Sequence, residues 1–241
     1  MNKGLYSIIE NRPLAESTFL LRLEGEHGFT GPGQFGEIAL PGKFLRRPFS
    51  VCGFEKGEFS VIYRVSGGGT ELLSRLSAGE KLDALTGLGK GFDLEKSGKT
   101  PLLVGGGTGA SPMYALAKAL LAAGAQPAAA LGFGKSEDVF FADEFKALGI
   151  ETVLATVDGS AGEKGNITDF LPADASFIYA CGPQAMLRAL DALPAPGAQY
   201  SLEARMGCGF GACMGCTINT ARGPERVCRD GPVFCREDII W

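Results

Sequence analysis

Apolar and polar residues alternate in short stretches through the first hundred positions. Phe19, Leu21 and Leu23 alternate with Leu20, Arg22 and Glu24, and Phe59, Val61 and Tyr63 repeat the same period of two. That is the period of half-buried strands. Gly31-Pro32-Gly33, Gly53, Gly57 and Gly67-Gly68-Gly69 punctuate them. Closely spaced short strands with glycine turns predict a small antiparallel β-barrel. Residues 70–76 predict a short helix capped by Thr70.

From about Lys99 the rhythm changes. Continuous apolar runs at 101–104, 128–133, 152–157 and 177–180 read as buried strands. Stretches at 113–123, 142–148, 169–171 and 184–193 read as helical. Alternating strands and helices predict a parallel sheet covered on both faces. Pro194-Ala195-Pro196-Gly197 reads as a linker, and the last forty-odd residues show no periodicity. The expected organisation is a β + α/β chain of three units: a barrel over 1–97, an α/β domain over 98–197 and a small C-terminal domain over 198–241.

Composition narrows the function. Glycine makes up 36 of 241 residues, roughly double its usual share, which suits tight turns and backbone close to ligands. The net charge of −4 argues against nucleic-acid binding, which needs a basic surface. A single histidine, His27, largely excludes histidine catalysis and multi-histidine metal sites. The N-terminal residues predict no secretory leader. The weakly charged stretch 100–134 is broken by Gly105-Gly106-Gly107, Gly109, Pro112, Gly124 and Pro127. It therefore predicts strand, loop, helix and strand, not a membrane span. The expected location is the cytoplasm, where cysteines stay reduced or bind metal.

The most specific signal is Cys208-x4-Cys213-x2-Cys216-x11-Cys228, the spacing of a plant-type [2Fe–2S] site. Gly207, Gly209, Gly211 and Gly215 interleave with the thiols, letting the chain wrap a cluster and aim amides at its sulfurs. Structural zinc, in a non-redox interaction module, is the competing reading. It usually takes two C-x2-C pairs, and only Cys213 and Cys216 form one. Cys52 and Cys235 read as small buried residues, with Cys235 an alternative to Cys228 as ligand.

Two glycine loops complete the chemistry. Gly105-Gly106-Gly107-Thr108-Gly109-Ala110-Ser111-Pro112 joins a strand to a helix, as a pyrophosphate-binding turn does. Cys181-Gly182-Pro183-Gln184-Ala185-Met186 follows the last strand of the same sheet, and ligands bind at the carboxyl ends of parallel strands. In the barrel, Arg46-Arg47-Pro48-Phe49-Ser50-Val51, Ile62-Tyr63-Arg64 and Gly69-Thr70 read either as a strand edge with solvated arginines or as a seat for a flat anionic cofactor. Cys181 reads either as strand-end packing or as a neighbour of the nicotinamide.

These segments resemble the ferredoxin–NADP reductase superfamily. Arg47-Pro48-Phe49-Ser50 is similar to its flavin motif, and the two glycine loops are similar to its nicotinamide segments. The chain as a whole resembles the electron-transfer subunits of NAD-dependent (class 1B) dihydroorotate dehydrogenase. The resemblance rests above all on the run from Glu203 to Cys213 and on Asp230-Gly231-Pro232-Val233-Phe234. It implies that Arg47, Pro48, Phe49, Ser50, Ile62, Tyr63 and Arg64 bind FAD, with Gly69 and Thr70 at its pyrophosphate. It implies NAD at Gly106, Gly107, Thr108, Gly109, Cys181, Gly182 and Pro183. The cluster ligands would be Cys208, Cys213, Cys216 and Cys228. The implied partner is an FMN-bearing catalytic subunit that converts dihydroorotate to orotate in pyrimidine biosynthesis, two of each subunit forming a heterotetramer. No side chain is expected to act as a catalytic acid or base, because hydride transfer to a flavin needs positioning above all. The layout is shared by ferredoxin- and sulfide-linked NAD(P)H oxidoreductases. There an aspartate typically takes the first ligand position, so Cys208 favours the dihydroorotate reading. NADP would want cations near Lys135 and Ser136, where one lysine stands. Met206, Phe210 and Met214 beside the ligands, and Trp241 at the end, either form a docking surface or pack inward.

Overall fold

The computed structural model describes all residues except 173 and 195, so part of the expected 194–197 linker lies outside the described residues. Strands β1 (Asn2–Ala15), β2 (Thr18–Glu24), β3 (Phe35–Ile38), β4 (Arg47–Glu55), β5 (Glu58–Arg64) and β6 (Lys81–Leu88) close a barrel in the order β1-β2-β5-β4-β3-β6. All its pairings are antiparallel. The alternation read in β2 is genuine. Leu21 and Leu23 fill the barrel with Tyr6, Val51 and Phe59, while Leu20 is buried on the outside. Leu20, Cys52 and Ile62 form an outer wall packed against the second unit.

Helix α1 (Gly68–Ser74) bridges β5 and β6. Thr70 is not its cap. It lies within the first turn, where its hydroxyl donates to the Gly67 carbonyl and accepts the Ser66 N–H.

The second unit comprises β7 (Leu102–Gly106), α2 (Ala110–Ala122), β8 (Ala128–Phe133), α3 (Ala142–Ala147), β9 (Thr152–Thr156), β10 (Glu163–Lys164), β11 (Ile178–Cys181), α4 (Gln184–Asp191) and β12 (Ala198–Ser201). A hairpin, β13 (Thr217–Thr220) with β14 (Gly223–Arg226), and the strand β15 (Val233–Cys235) follow. The large sheet runs β10-β9-β8-β7-β11-β12-β15, parallel except that β15 lies antiparallel to β12. Both faces are covered, as continuous apolar strands require. Leu102 and Val104 face the α4 side, and Leu103 faces α2. Helix α2 starts at Ala110, three residues before the expected 113, because the glycine loop feeds straight into it. The helix expected at 169–171 is a single 3₁₀ turn, Ile167–Asp169. The C-terminal strands are four residues or fewer, too short to show a period.

Two positions close the molecule. Pro232 passes its carbonyl to the Leu202 N–H (2.9 Å), and Gly231 takes the Lys90 N–H (2.6 Å). The cysteine-bearing segment is thus fastened to both the sheet and the barrel. Among the described residues no helix is long and apolar enough to cross a membrane.

Candidate functional site

Two clefts meet where the barrel faces the sheet. The first, about 340 Å³, has walls from three places. The barrel provides Arg47, Pro48, Phe49, Ser50, Ile62, Tyr63, Arg64 and Thr70. The sheet provides Thr108, Gly109 and Cys181. The C-terminal segment provides Ser201, Glu203, Ala204, Met206 and Pro232. The second cleft, about 440 Å³, opens over the carboxyl ends of β7, β8 and β11 and is lined by Gly106, Gly107, Thr108 and Pro183. Arg64 and Thr108 line both, so the clefts are continuous. The expected Gly69 and Gly182 are not wall residues. Gly69 backs Arg47, whose Nε would lie 3.0 Å from a Cβ there, and Gly182 lies against Gly106.

The two glycine loops depend on each other. A Cβ at Gly109 would fall 2.1 Å from the Cys181 carbonyl oxygen. Only glycine allows the two strand-end loops to touch. Cys181 is both strand-end packing and a cleft wall, since it is 3% exposed and belongs to the core cluster beside α2. Burial, and then the Glu203 charge, push its thiol up to about 12 against the Ser201 hydroxyl. It stays protonated and is not a nucleophile. Burial also raises the Glu203 carboxyl. Glu203, from the run that carries the resemblance, and Phe35 are both cleft residues to which sequence reasoning gave no binding role. Pairing of β3 with β4 sets Phe35 opposite Ser50, and pairing of β11 with β12 sets Cys181 opposite Ser201, two residues before Glu203.

Lys135, at the end where NADP would want cations, is engaged by Glu16 of the barrel, and Arg64 faces Asp138 at 3.7 Å. The Ser136 N–H donates to Ser160 Oγ at 2.7 Å.

The cysteine loop carries the signature of an anion seat. Cys208 Sγ receives the Ala212 N–H at 3.2 Å and the Cys213 N–H at 3.4 Å; Cys213 Sγ receives Gly215 N–H at 3.4 Å. Cys216 Sγ receives Cys228 N–H at 3.4 Å. Burial opposes ionisation of Cys208, but these amides and the Cys213 thiol outweigh it and hold the thiol below its usual range. Burial and the neighbouring Cys216 raise Cys228. Cys208 interacts with Cys213, and Cys228 with Cys216 and also with Cys208. Four cysteine thiols at this spacing suit a two-iron cluster. Cys216 and Cys228 are buried with Phe35, Leu88 and Phe234, while Cys213 is exposed. Arg226 ties the loop, donating to the Gly211 carbonyl (2.9 Å) and to Asp230 (3.1 Å).

Phe210 and Met214 stand 48% and 53% exposed beside the thiols, whereas Met206 packs inward with Cys216 and Cys228. Cys235 lies on β15 and accepts from the Lys96 ammonium at 3.3 Å. Trp241 does not stand out as a docking side chain. Its indole N–H donates to Asp191 of α4 at 2.8 Å.

Comparisons with known proteins agree with this layout. The model for the iron–sulfur cluster binding domain of dihydroorotate dehydrogenase B matches residues 203–240, and that for the oxidoreductase NAD-binding domain matches 103–192. The dihydroorotate dehydrogenase B (NAD(+)) electron transfer subunit of Bacillus pumilus (strain SAFR-032) is 41% identical over 255 residues, covering 99% of this chain and 98% of its own. That of Geobacillus sp. (strain WCH70) is 41% identical over 256 residues, covering 100% and 99%. The solved NADH-dependent reduced ferredoxin-NADP oxidoreductase superposes with a TM-score of 0.87 at 28% identity, covering 99% of this chain and 90% of that one. Phthalate dioxygenase reductase shares the fold at 20% identity, with a TM-score of 0.66 over 78% of this chain and 63% of its own. The chain belongs to the family of dihydroorotate dehydrogenase B electron transfer subunits.

Proposed function

We propose that this chain carries electrons between NAD and an FMN-bearing dihydroorotate dehydrogenase catalytic subunit, in the orotate-forming step of pyrimidine biosynthesis. One observation carries the reading. The three-walled cleft is bounded by Phe35 and Met206, and those same side chains pack with Cys216 and Cys228. A single layer of side chains thus separates the cleft from those two thiols.

When bound, FAD links hydride exchange with NAD to single-electron exchange with a [2Fe–2S] cluster. The residues fit these groups. Arg47 and Arg64 offer cations to a phosphate, Ser50 a hydroxyl, and Phe49 and Tyr63 an aromatic wall. Gly69 and Thr70 keep the chain clear on the pyrophosphate side. Gly106, Gly107 and Thr108, with Pro183 opposite, hold the nicotinamide nucleotide over the strand ends, while Gly109, Cys181 and Gly182 let the two loops meet beneath it. Cys208, Cys213, Cys216 and Cys228 hold the cluster, and the loop amides offset its negative charge. Proximity and water exclusion do the rest.

The exposed pair Phe210 and Met214 forms the apolar surface that meets the catalytic subunit, in an assembly of two subunits of each kind located in the cytoplasm. The test is co-expression with the FMN-bearing subunit, followed by a count of FAD, FMN, iron and acid-labile sulfide. The expected result is dihydroorotate-dependent NAD reduction by a co-purifying complex. A colourless protein holding zinc would sink the reading. Reduction of ferredoxin with no orotate formed would favour the ferredoxin-linked alternative, which has support from the solved neighbour at 28% identity. For the docking surface, Phe210→Asp is expected to abolish co-purification yet keep NADH-to-dye activity. A stable complex of that variant would overturn the surface assignment.

A further inference from the structure

Two exposed side chains beside the thiols are too few for a lasting complex. A stable interface buries roughly 800 Å² on each partner and takes about 20–30 residues of each. The surface around Phe210 and Met214 must therefore continue, and the barrel is where it does. The outer face of β3 and β6 carries the cysteine segment. Phe35, Leu85 and Leu88 pack there with Cys216 and Cys228. Gly209 is seated on β3, where a Cβ would fall 2.3 Å from Glu37 Cδ. One strand further, the cover ends. Leu5 on β1 stands opposite Asp83 of β6 and is 68% exposed. Arg46 crosses from the β3–β4 loop to the same Asp83 at 2.8 Å. The two residues before it in that loop, Phe44 and Leu45, are 100% and 43% exposed.

Charge frames this strip. The acids beside it are taken, Asp83 by Arg46 and Asp230 by Arg226 at 3.1 Å. Lys90, Arg205 and Arg229 are exposed on the cysteine side. None of the three is in an ion pair among the described residues. The Lys90 N–H holds Gly231, and the Arg229 side chain lies along Gly211. A chain of net charge −4 thus turns free cations toward the cysteine loop. We propose that the footprint of the FMN-bearing subunit runs from Phe210 and Met214 across the barrel edge to Leu5, Phe44 and Leu45, and that the partner meets it with an apolar centre and an acidic rim. The apolar centre excludes water and slows dissociation, while the cations speed encounter. The inference rests on the partner named above and extends its contact from one loop to the barrel.

The test is biolayer interferometry of the FAD- and iron-loaded chain against the separately purified FMN-bearing subunit. FAD, iron and sulfide per chain are counted first. The double variant Leu5→Glu/Phe44→Glu is expected to keep all three and its NADH-to-dye rate. It should bind at least about 10-fold more weakly, chiefly through faster dissociation. Association of the wild-type chain is expected to slow as salt is raised. Wild-type affinity in the double variant, while Phe210→Asp fails to bind, would overturn the wider footprint. So would a double variant that loses FAD or iron, because those side chains would then serve the barrel alone. An association rate indifferent to salt would overturn the acidic rim. A wild-type chain that does not bind the FMN-bearing subunit at all is a different failure, which removes the partner reading itself.

Discussion

Gly109 shows how much of the site depends on single atoms. Its φ of −63° is ordinary for any residue, so backbone freedom is not the reason for glycine. Space is the reason, since a methyl group would meet the Cys181 carbonyl at 2.1 Å. Gly109→Ala is therefore expected to force the two loops apart, at about 1–3 kcal/mol of stability. A displacement of that kind should slow NADH-dependent flavin reduction about 100-fold and leave iron content unchanged. Stopped-flow absorbance and iron analysis check both. Cys181 itself should be inert. With its thiol buried and pushed up to about 12, Cys181 should escape iodoacetamide at neutral pH in cluster-free protein, where the exposed Cys213 is labelled, as read by mass spectrometry. At this scale the chain was partly readable in advance. The four spaced cysteines and the glycine loops are local patterns, and they point to chemistry on their own. The contact of Gly109 with Cys181, and the seat of Gly209 on Glu37, join residues distant in sequence, so no local pattern shows them.

Among the elements, β15 and the tail after it do more than complete a sheet. β15 pairs antiparallel with β12 through Gln199, Tyr200 and Ser201, which stitches the cysteine-bearing segment to the nucleotide sheet. The tail then folds onto α4. Arg236 pairs with Asp191 at 3.0 Å, and Arg188 lies over the Trp241 ring at 5.7 Å from its centroid. Asp191 also takes the indole N–H, so one carboxylate holds two partners. Both members of the ion pair are about a quarter exposed, which tempers its worth. Asp191→Ala is expected to cost about 1–2 kcal/mol, seen as a lower melting temperature with FAD and iron content unchanged. The parallel strands β7, β8, β9 and β11 were evident as apolar runs, because the centre of the sheet is buried, whereas the exposed β10 (Glu163–Lys164) and the mixed β12 (Ala198–Ser201) carry no such signal. The three residues of β15 carry no such run, and the tail reads as exposed until α4 is placed beneath it.

For the whole molecule, the first cleft makes the barrel, the sheet and the cysteine segment interdependent. Ser201, Glu203, Ala204 and Met206 wall the cleft only if the segment leading to Cys208 is held in place. That segment is pinned by the Leu202–Pro232 and Lys90–Gly231 hydrogen bonds, which flank the loop carrying Cys213, Cys216 and Cys228. A group that orders the thiols therefore orders one wall of the cleft, and a group that fills the cleft restrains the thiols. Two ligands that favour the same arrangement help each other to bind by the same factor in both directions, typically about 5- to 150-fold. Cys228→Ser removes a buried ligand and should leave the protein without its cluster. Fluorescence titration should then show FAD affinity weakened within that range. Conversely, flavin-depleted wild-type protein should lose iron to a chelator faster than the flavin-loaded form. Equal FAD affinity with and without the cluster would mean that the C-terminal wall holds its shape alone, and that the three units meet without depending on one another.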